Sequence, residues 1–195
     1  WATHGEPSDR NSHPHKSSKG DIAVVHNGII ENYLELRKWL ISEGYEFFSE
    51  TDTEVVPNLI HYYYEGNLFE AVVKATKKLE GSYALGVVCG DEQDKLIAVR
   101  KDSPLIVGLG NGENFIASDI PAVINYTRDV YLLDDNEFVV MDRNGVSILS
   151  ANGDRIDKNI YKVTWSEDAA EKGGYDSFML KEIHEQPKAI KDTIS

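Results

Sequence analysis

The chain has 195 residues, 41% of them hydrophobic and 27% charged, the composition of a single soluble globular domain long enough to bury a core. Its 33 acidic residues against 20 basic ones give a net charge of −13, which repels nucleic-acid backbones and anionic membrane surfaces over most of the molecule. Apolar runs such as 84–89 and 138–141 fall far short of the roughly 20 residues that cross a bilayer, and no charged-then-apolar signal peptide stands at the front. One cysteine, Cys89, excludes an intrachain disulfide framework and points to a reducing, cytoplasmic compartment.

In chain order, residues 1–20 are polar, carry His4, His13 and His15, and show no periodicity, which predicts loop. Asp21 to His26 reads as a short strand closed by the tight-turn dipeptide Asn27-Gly28. A helix follows from about Asn32 and ends at Gly44. Thr51 and Glu54 have the spacing of a capping box before Val55, which places Asp52 in the first turn of a second helix. Asn67 caps a third, stopped by Gly81.

From Ser82 on, short apolar runs alternate with turn signals such as Gly110-Asn111-Gly112 and Asn144-Gly145, predicting antiparallel strands at 82–89, 95–99, 105–109, 114–117, 130–133, 138–141 and 146–149. A short helix is expected within 119–125, and a last one over 176–194, interrupted at Pro187. Helices first and antiparallel strands second indicate an α+β fold.

Three polar clusters carry chemistry. Asn27-Gly28 is either an ordinary turn or a pair of oxyanion donors, an amide side chain beside the backbone N–H of a residue free to turn sharply. Asp52 is either a helix cap, favoured by the helix dipole, or a charge partner for a ligand. His4, His13, His15 and His26 raise the question of a metal, but no cysteine or second ordered pair completes a set, and neither metal nor cofactor is expected. Cys89, in a strand-like apolar run, reads as an inert buried thiol.

The string His26-Asn27-Gly28-Ile29-Ile30-Glu31-Asn32, the segment Ser49-Glu50-Thr51-Asp52-Thr53-Glu54 and the opening Trp1-Ala2-Thr3-His4-Gly5-Glu6-Pro7 resemble the glutaminase domain of class II glutamine amidotransferases, most closely the glucosamine-6-phosphate synthase group. Residues 103–105, 112–119 and 181–187 extend the resemblance over nearly the whole chain. It implies the N-terminal-nucleophile hydrolase fold, an αββα sandwich of two antiparallel sheets between helical layers. It also implies a terminal cysteine whose own α-amine serves as general base. With Trp1 at position 1, a domain truncated at its N-terminus is expected, lacking its first strands and inactive alone, with an in-frame Met-Cys start about 70 residues upstream.

By the same resemblance Asn27 and Gly28 form the oxyanion hole, and Asp52 neutralises the α-ammonium of glutamine, with Glu50 and Glu54 serving the helix end. Trp1, Thr3 and His4 belong to a loop closing over the substrate, near which His13 lies; Trp1 would also gate an ammonia channel. The arginine that pairs with the substrate carboxylate in the family would directly precede Trp1. The implied layout is one partial amidotransferase domain over 1–195: glutamine loop 1–20, strand and helices 21–81, antiparallel strands 82–150, and at 175–195 a helix leading to a sugar isomerase domain. The implied partners are glutamine, fructose-6-phosphate on that isomerase domain, and a second copy in a full-length homodimer. Competing expectations are a class II amidotransferase with another ammonia acceptor, or a non-catalytic glutamine-sensing or interaction domain.

Overall fold

The computed structural model describes residues 3–164 and 173–194. Strand β1 is His15–Lys16 and β2 is Ile22–Ile30; in β2 the period-two pattern buries Ile22, Val24, His26 and Ile30 and exposes Val25, Asn27 and Ile29. Helices α1 (Tyr33–Ser42), α2 (Val55–Tyr63) and α3 (Leu68–Thr76) follow. Gly44, at φ +81°, ends α1, and the Asn67 side chain caps α3 by accepting from the Glu70 N–H.

The strands β3 (Gly81–Cys89), β4 (Leu96–Lys101), β5 (Ile106–Leu109), β6 (Asn114–Ala117), β7 (Asp129–Leu132), β8 (Phe138–Asp142), β9 (Gly145–Leu149) and β10 (Tyr161–Lys162) complete two sheets. One has the order β1-β2-β3-β4-β8-β9, the other β10-β7-β5-β6, and every neighbouring pair is antiparallel. The layers follow from which face each strand buries. Ile22, Val24, Tyr83, Leu85, Val87, Ile97 and Val99 meet Leu40, Leu59, Ile60 and Val72 of the helices. Ala84, Ala98 and Val139 on the opposite face meet Val107 of the second sheet and Leu105 just before it. The outer face of that sheet packs Ile106 and Val130 on Val123 and Ile124, beside a single 3-10 turn at Ile120–Ala122. Each such fully buried aliphatic side chain is worth about 1.5–3 kcal/mol. The fold is α+β with antiparallel sheets, in keeping with the αββα sandwich.

Several local expectations are overturned. β2 runs straight through Asn27-Gly28 to Ile30, because both residues stay in register with β3 at Ala84 and Tyr83. The 1–20 segment is not all loop, since His15 and Lys16 pair with Val24 and Ala23 and a 3-10 turn forms at Asp9–Asn11. No capping box forms: the Thr51 hydroxyl goes to His15 Nε2 (3.1 Å) and Ser49 Oγ (3.0 Å), while the Glu54 carboxylate accepts from the Phe48 and Ser49 N–H groups. Helix α4 (Phe178–Ile194) continues through Pro187. The carbonyl that proline leaves unpaired belongs to the exposed residue Ile183, where water can take the bond. The short helix expected within 119–125 is present as the 3-10 turn, prolonged by the Ile124 N–H donating to the Ile120 carbonyl and capped by the Asp119 side chain, which accepts from the Ile120 N–H.

Candidate active site

A turn at 51–54 lies against the outer edge of β2 and builds one wall of a cavity of about 580 Å³. Thr3, His4, Asn11, His13, His26, Asn27, Gly28 and Asp52 are among the residues that line it. β1 pairs with β2 only at Ala23 and Val24, so beyond them that edge has no strand neighbour among the described residues. The Glu31 N–H donates to the Glu80 carbonyl, which fixes the alternation along β2. Odd-numbered residues hydrogen-bond to β3, and the even-numbered Ile30 and Gly28 turn their N–H groups to the free edge. Ile30 uses its own to hold Asp52, donating to Oδ2 at 2.8 Å. The Gly28 amide thus faces the cavity on the same edge.

Glycine is required there: φ is +127°, and a Cβ would lie 2.1 Å from the Ser82 carbonyl oxygen. Asn27 projects from the opposite face of β2 to His26, and its Nδ2 donates to Ser118 Oγ at 3.0 Å. Asp52 is 2% exposed; its Oδ1, the oxygen that Ile30 leaves free, stands 3.5 Å from His4 Nδ1.

Three imidazoles back this wall. His26 Nδ1 and His13 Nε2 lie 2.8 and 3.5 Å from the Thr53 hydroxyl, and His15 Nε2 lies 3.1 Å from Thr51 Oγ1. Burial lowers all three pKa values from the ordinary imidazole range, against the pull of the Asp52 carboxylate. His26, the deepest, is held at about 4 and is neutral at pH 7. The turn itself is buried and polar, at Ser49, Thr51, Asp52, Thr53 and Glu54, and its side chains are hydrogen-bonded to one another or to the histidines and β2. No cluster of three His, Cys, Asp or Glu side chains suited to a metal occurs among the described residues.

Thr3, His4, His13, Asn27, Gly28 and Asp52 therefore converge on one cavity, while Trp1 lies outside the described residues. Glu50 does not serve the helix end; it accepts from Asn11 Nδ2 at 3.4 Å, bridging the loop to the turn. Sequence reading missed Thr53 and Ser118, which sit 27 and 91 residues from their partners. The only local signal for Thr53 is its place beside Asp52. Cys89 is buried in the core beneath the helices.

A family model described as a glutamine amidotransferase domain matches residues 4–125. The chain belongs to this glutamine amidotransferase family. The match takes in His4, His13, Asn27, Gly28 and Asp52. Among full-length relatives, the chain is 71% identical over all of its 195 residues to a glutamine–fructose-6-phosphate aminotransferase (isomerizing) of Clostridium tetani, covering 32% of that protein. It is 54% identical to the one of Aquifex aeolicus, covering 33%. The chain thus spans about a third of the length of the curated relatives it matches. Among solved structures, glutamine phosphoribosylpyrophosphate amidotransferase from Bacillus subtilis superposes with a TM-score of 0.61 at 22% identity, over 70% of this chain and 30% of that one. A glutamine aminotransferase class-II domain protein from Silicibacter pomeroyi gives 0.54 at 17% identity, over 71% and 70%. At such identities these two amidotransferases speak for the shared fold alone.

Proposed function

We propose that this amidotransferase domain is the glutaminase part of a glutamine–fructose-6-phosphate aminotransferase, hydrolysing glutamine and passing the ammonia to a sugar isomerase domain. The names of the full-length relatives support the acceptor. The observation that carries the glutamine reading is Asp52, a buried carboxylate with one oxygen fixed by the Ile30 N–H and the other left at the cavity that Gly28 lines. The glutamine α-ammonium sits on Asp52 Oδ1, and Thr3, His4 and His13 close around the backbone of the substrate. The side-chain amide then reaches Asn27 and Gly28, whose two N–H donors stabilise the tetrahedral oxyanion.

The nucleophile in this reading is a terminal cysteine outside these 195 residues, since Cys89 is buried and away from the cavity. Trp1 guards the ammonia exit, and the full-length enzyme is a cytoplasmic homodimer that needs no cofactor. Among the described residues, no helix is long and apolar enough to cross a membrane.

Asp52→Asn in the full-length enzyme tests the reading. The asparagine oxygen still accepts from Ile30, so only the charge is lost. The KM for glutamine should rise roughly 30-fold or more, since an unpaired buried charge costs about 2–5 kcal/mol. An unchanged KM would reduce Asp52 to a builder of the turn.

A further inference from the structure

We propose that His26 is a positioning residue: its buried imidazole, bonded to the Thr53 hydroxyl, sets the 51–54 turn on β2 so that Asp52 and the Asn27-Gly28 pair face one cavity. The inference rests on the glutamine reading of that cavity and adds to it a residue that touches no substrate.

The turn is tied to β2 at two places, at Ile30 by the Asp52 carboxylate and at His26 by Thr53. Their anchors on the strand, His26 and Ile30, bracket Asn27-Gly28. The Thr51–His15 and Ser49–Glu54 bonds hold the turn from its other sides, but without Thr53 its only side-chain bond to β2 is the one from Ile30, which leaves Asp52 Oδ1 less firmly oriented toward the Gly28 amide. The second tie removes that freedom.

The imidazole must be neutral to do this. His26 Nε2 is buried and makes no well-formed hydrogen bond among the described residues, so a second ring proton would find only the poorly placed Ser82 carbonyl. The groups facing the ring are Asp52, His13 and His15, with the Ser82 carbonyl; burial outweighs the pull of Asp52 and Ser82 toward the charged form. Glu54 acts on His15 in turn. The Thr53 hydroxyl, 2.8 Å from His26 and 3.5 Å from His13, has one proton for two rings, which couples their tautomers.

The test uses the full-length enzyme with Thr53→Val, which keeps the shape and deletes the hydroxyl, and Thr53→Ser, which restores it. Thr53→Val should raise the KM for glutamine roughly tenfold and lower kcat, with Thr53→Ser returning both to within about twofold of wild type. A lower Tm with both constants per folded molecule intact would make the tie merely structural and overturn the proposal. If Thr53→Val does not fold, histidine side-chain 15N spectra of the wild type decide. His26 should stay neutral in one tautomer from pH 5.5 to 8, and a ring that titrates near 6.5 or exchanges tautomers sinks the proposal. The outcomes separate from those of the glutamine reading. A raised KM in Asp52→Asn beside wild-type constants in Thr53→Val removes only the role of His26, whereas an unchanged KM in Asp52→Asn removes the glutamine reading itself.

Discussion

Asn27 and His26 are consecutive and do opposite things, because successive side chains of a strand leave opposite faces. Asn27 is exposed and holds one hydrogen bond, to Ser118 Oγ, so Asn27→Ala should cost little stability, about 0.5–1.5 kcal/mol. If its amide is an oxyanion donor, kcat for glutamine in the full-length enzyme should fall roughly 100-fold while KM moves much less. A destabilised but fully active Asn27→Ala would remove the oxyanion role. His26 makes a different prediction, in pH. Its pKa falls from the ordinary 6.5 to about 4 on folding, so between those values the unfolded chain binds the extra proton and folding stability is lost as pH drops. The group's stabilising contribution is complete above pH 6.5 and gone below about 4, a loss of about 3 kcal/mol at most. His13 and His15 shift in the same direction. Denaturation free energies of wild type and His26→Asn, compared from pH 7 to 4, should converge as pH falls; parallel curves would show an unshifted His26.

Among the elements, Gly28 decides the course of β2. An Asn-Gly pair is a local hairpin signal, yet here the strand persists because β3 pairs with it from Ile22 to Ile30, and glycine serves instead to clear the Ser82 carbonyl. Gly28→Ala should therefore destabilise the domain by several kcal/mol, combining a strained φ with a backbone clash, and a denaturant midpoint close to wild type would contradict that packing. The same contrast explains what the sequence made legible. Helices α1 to α3 and most strands of the second half follow from periodicity, Gly44, Asn67 and the turn pairs, all of which act within a few residues. The oxyanion candidates and Asp52 were legible through family resemblance, and the cavity gathers them. The capping box failed because Thr51 is claimed by His15, 36 residues away, and Thr53 and Ser118 stayed invisible for the same reason. Pairings of that range are settled by the sheet, which no local pattern encodes.

At the scale of the whole molecule, a net charge of −13 opposes association while two apolar surfaces favour it. Val25 and Ile29 are exposed along the stretch of β2 that has no strand neighbour among the described residues, and Phe178, Met179, Ile183 and Ile190 are exposed on α4. A strand edge that the 51–54 turn covers only in part, beside apolar side chains, offers a contact to another chain, and an amphipathic helix offers a second. The 195-residue chain by itself should therefore bind a hydrophobic dye or self-associate. Because exposed charges are screened over about 10 Å at 0.1 M salt and less at higher ionic strength, association should strengthen as salt is raised. Sedimentation velocity at low and high salt, run beside dye fluorescence, checks this, and Ile29→Lys with Ile183→Lys should weaken both signals. A monomer at either salt, with no dye binding and one cooperative unfolding transition, would mean that the two sheets and their helices close without help and that the free edge of β2 serves the cavity alone.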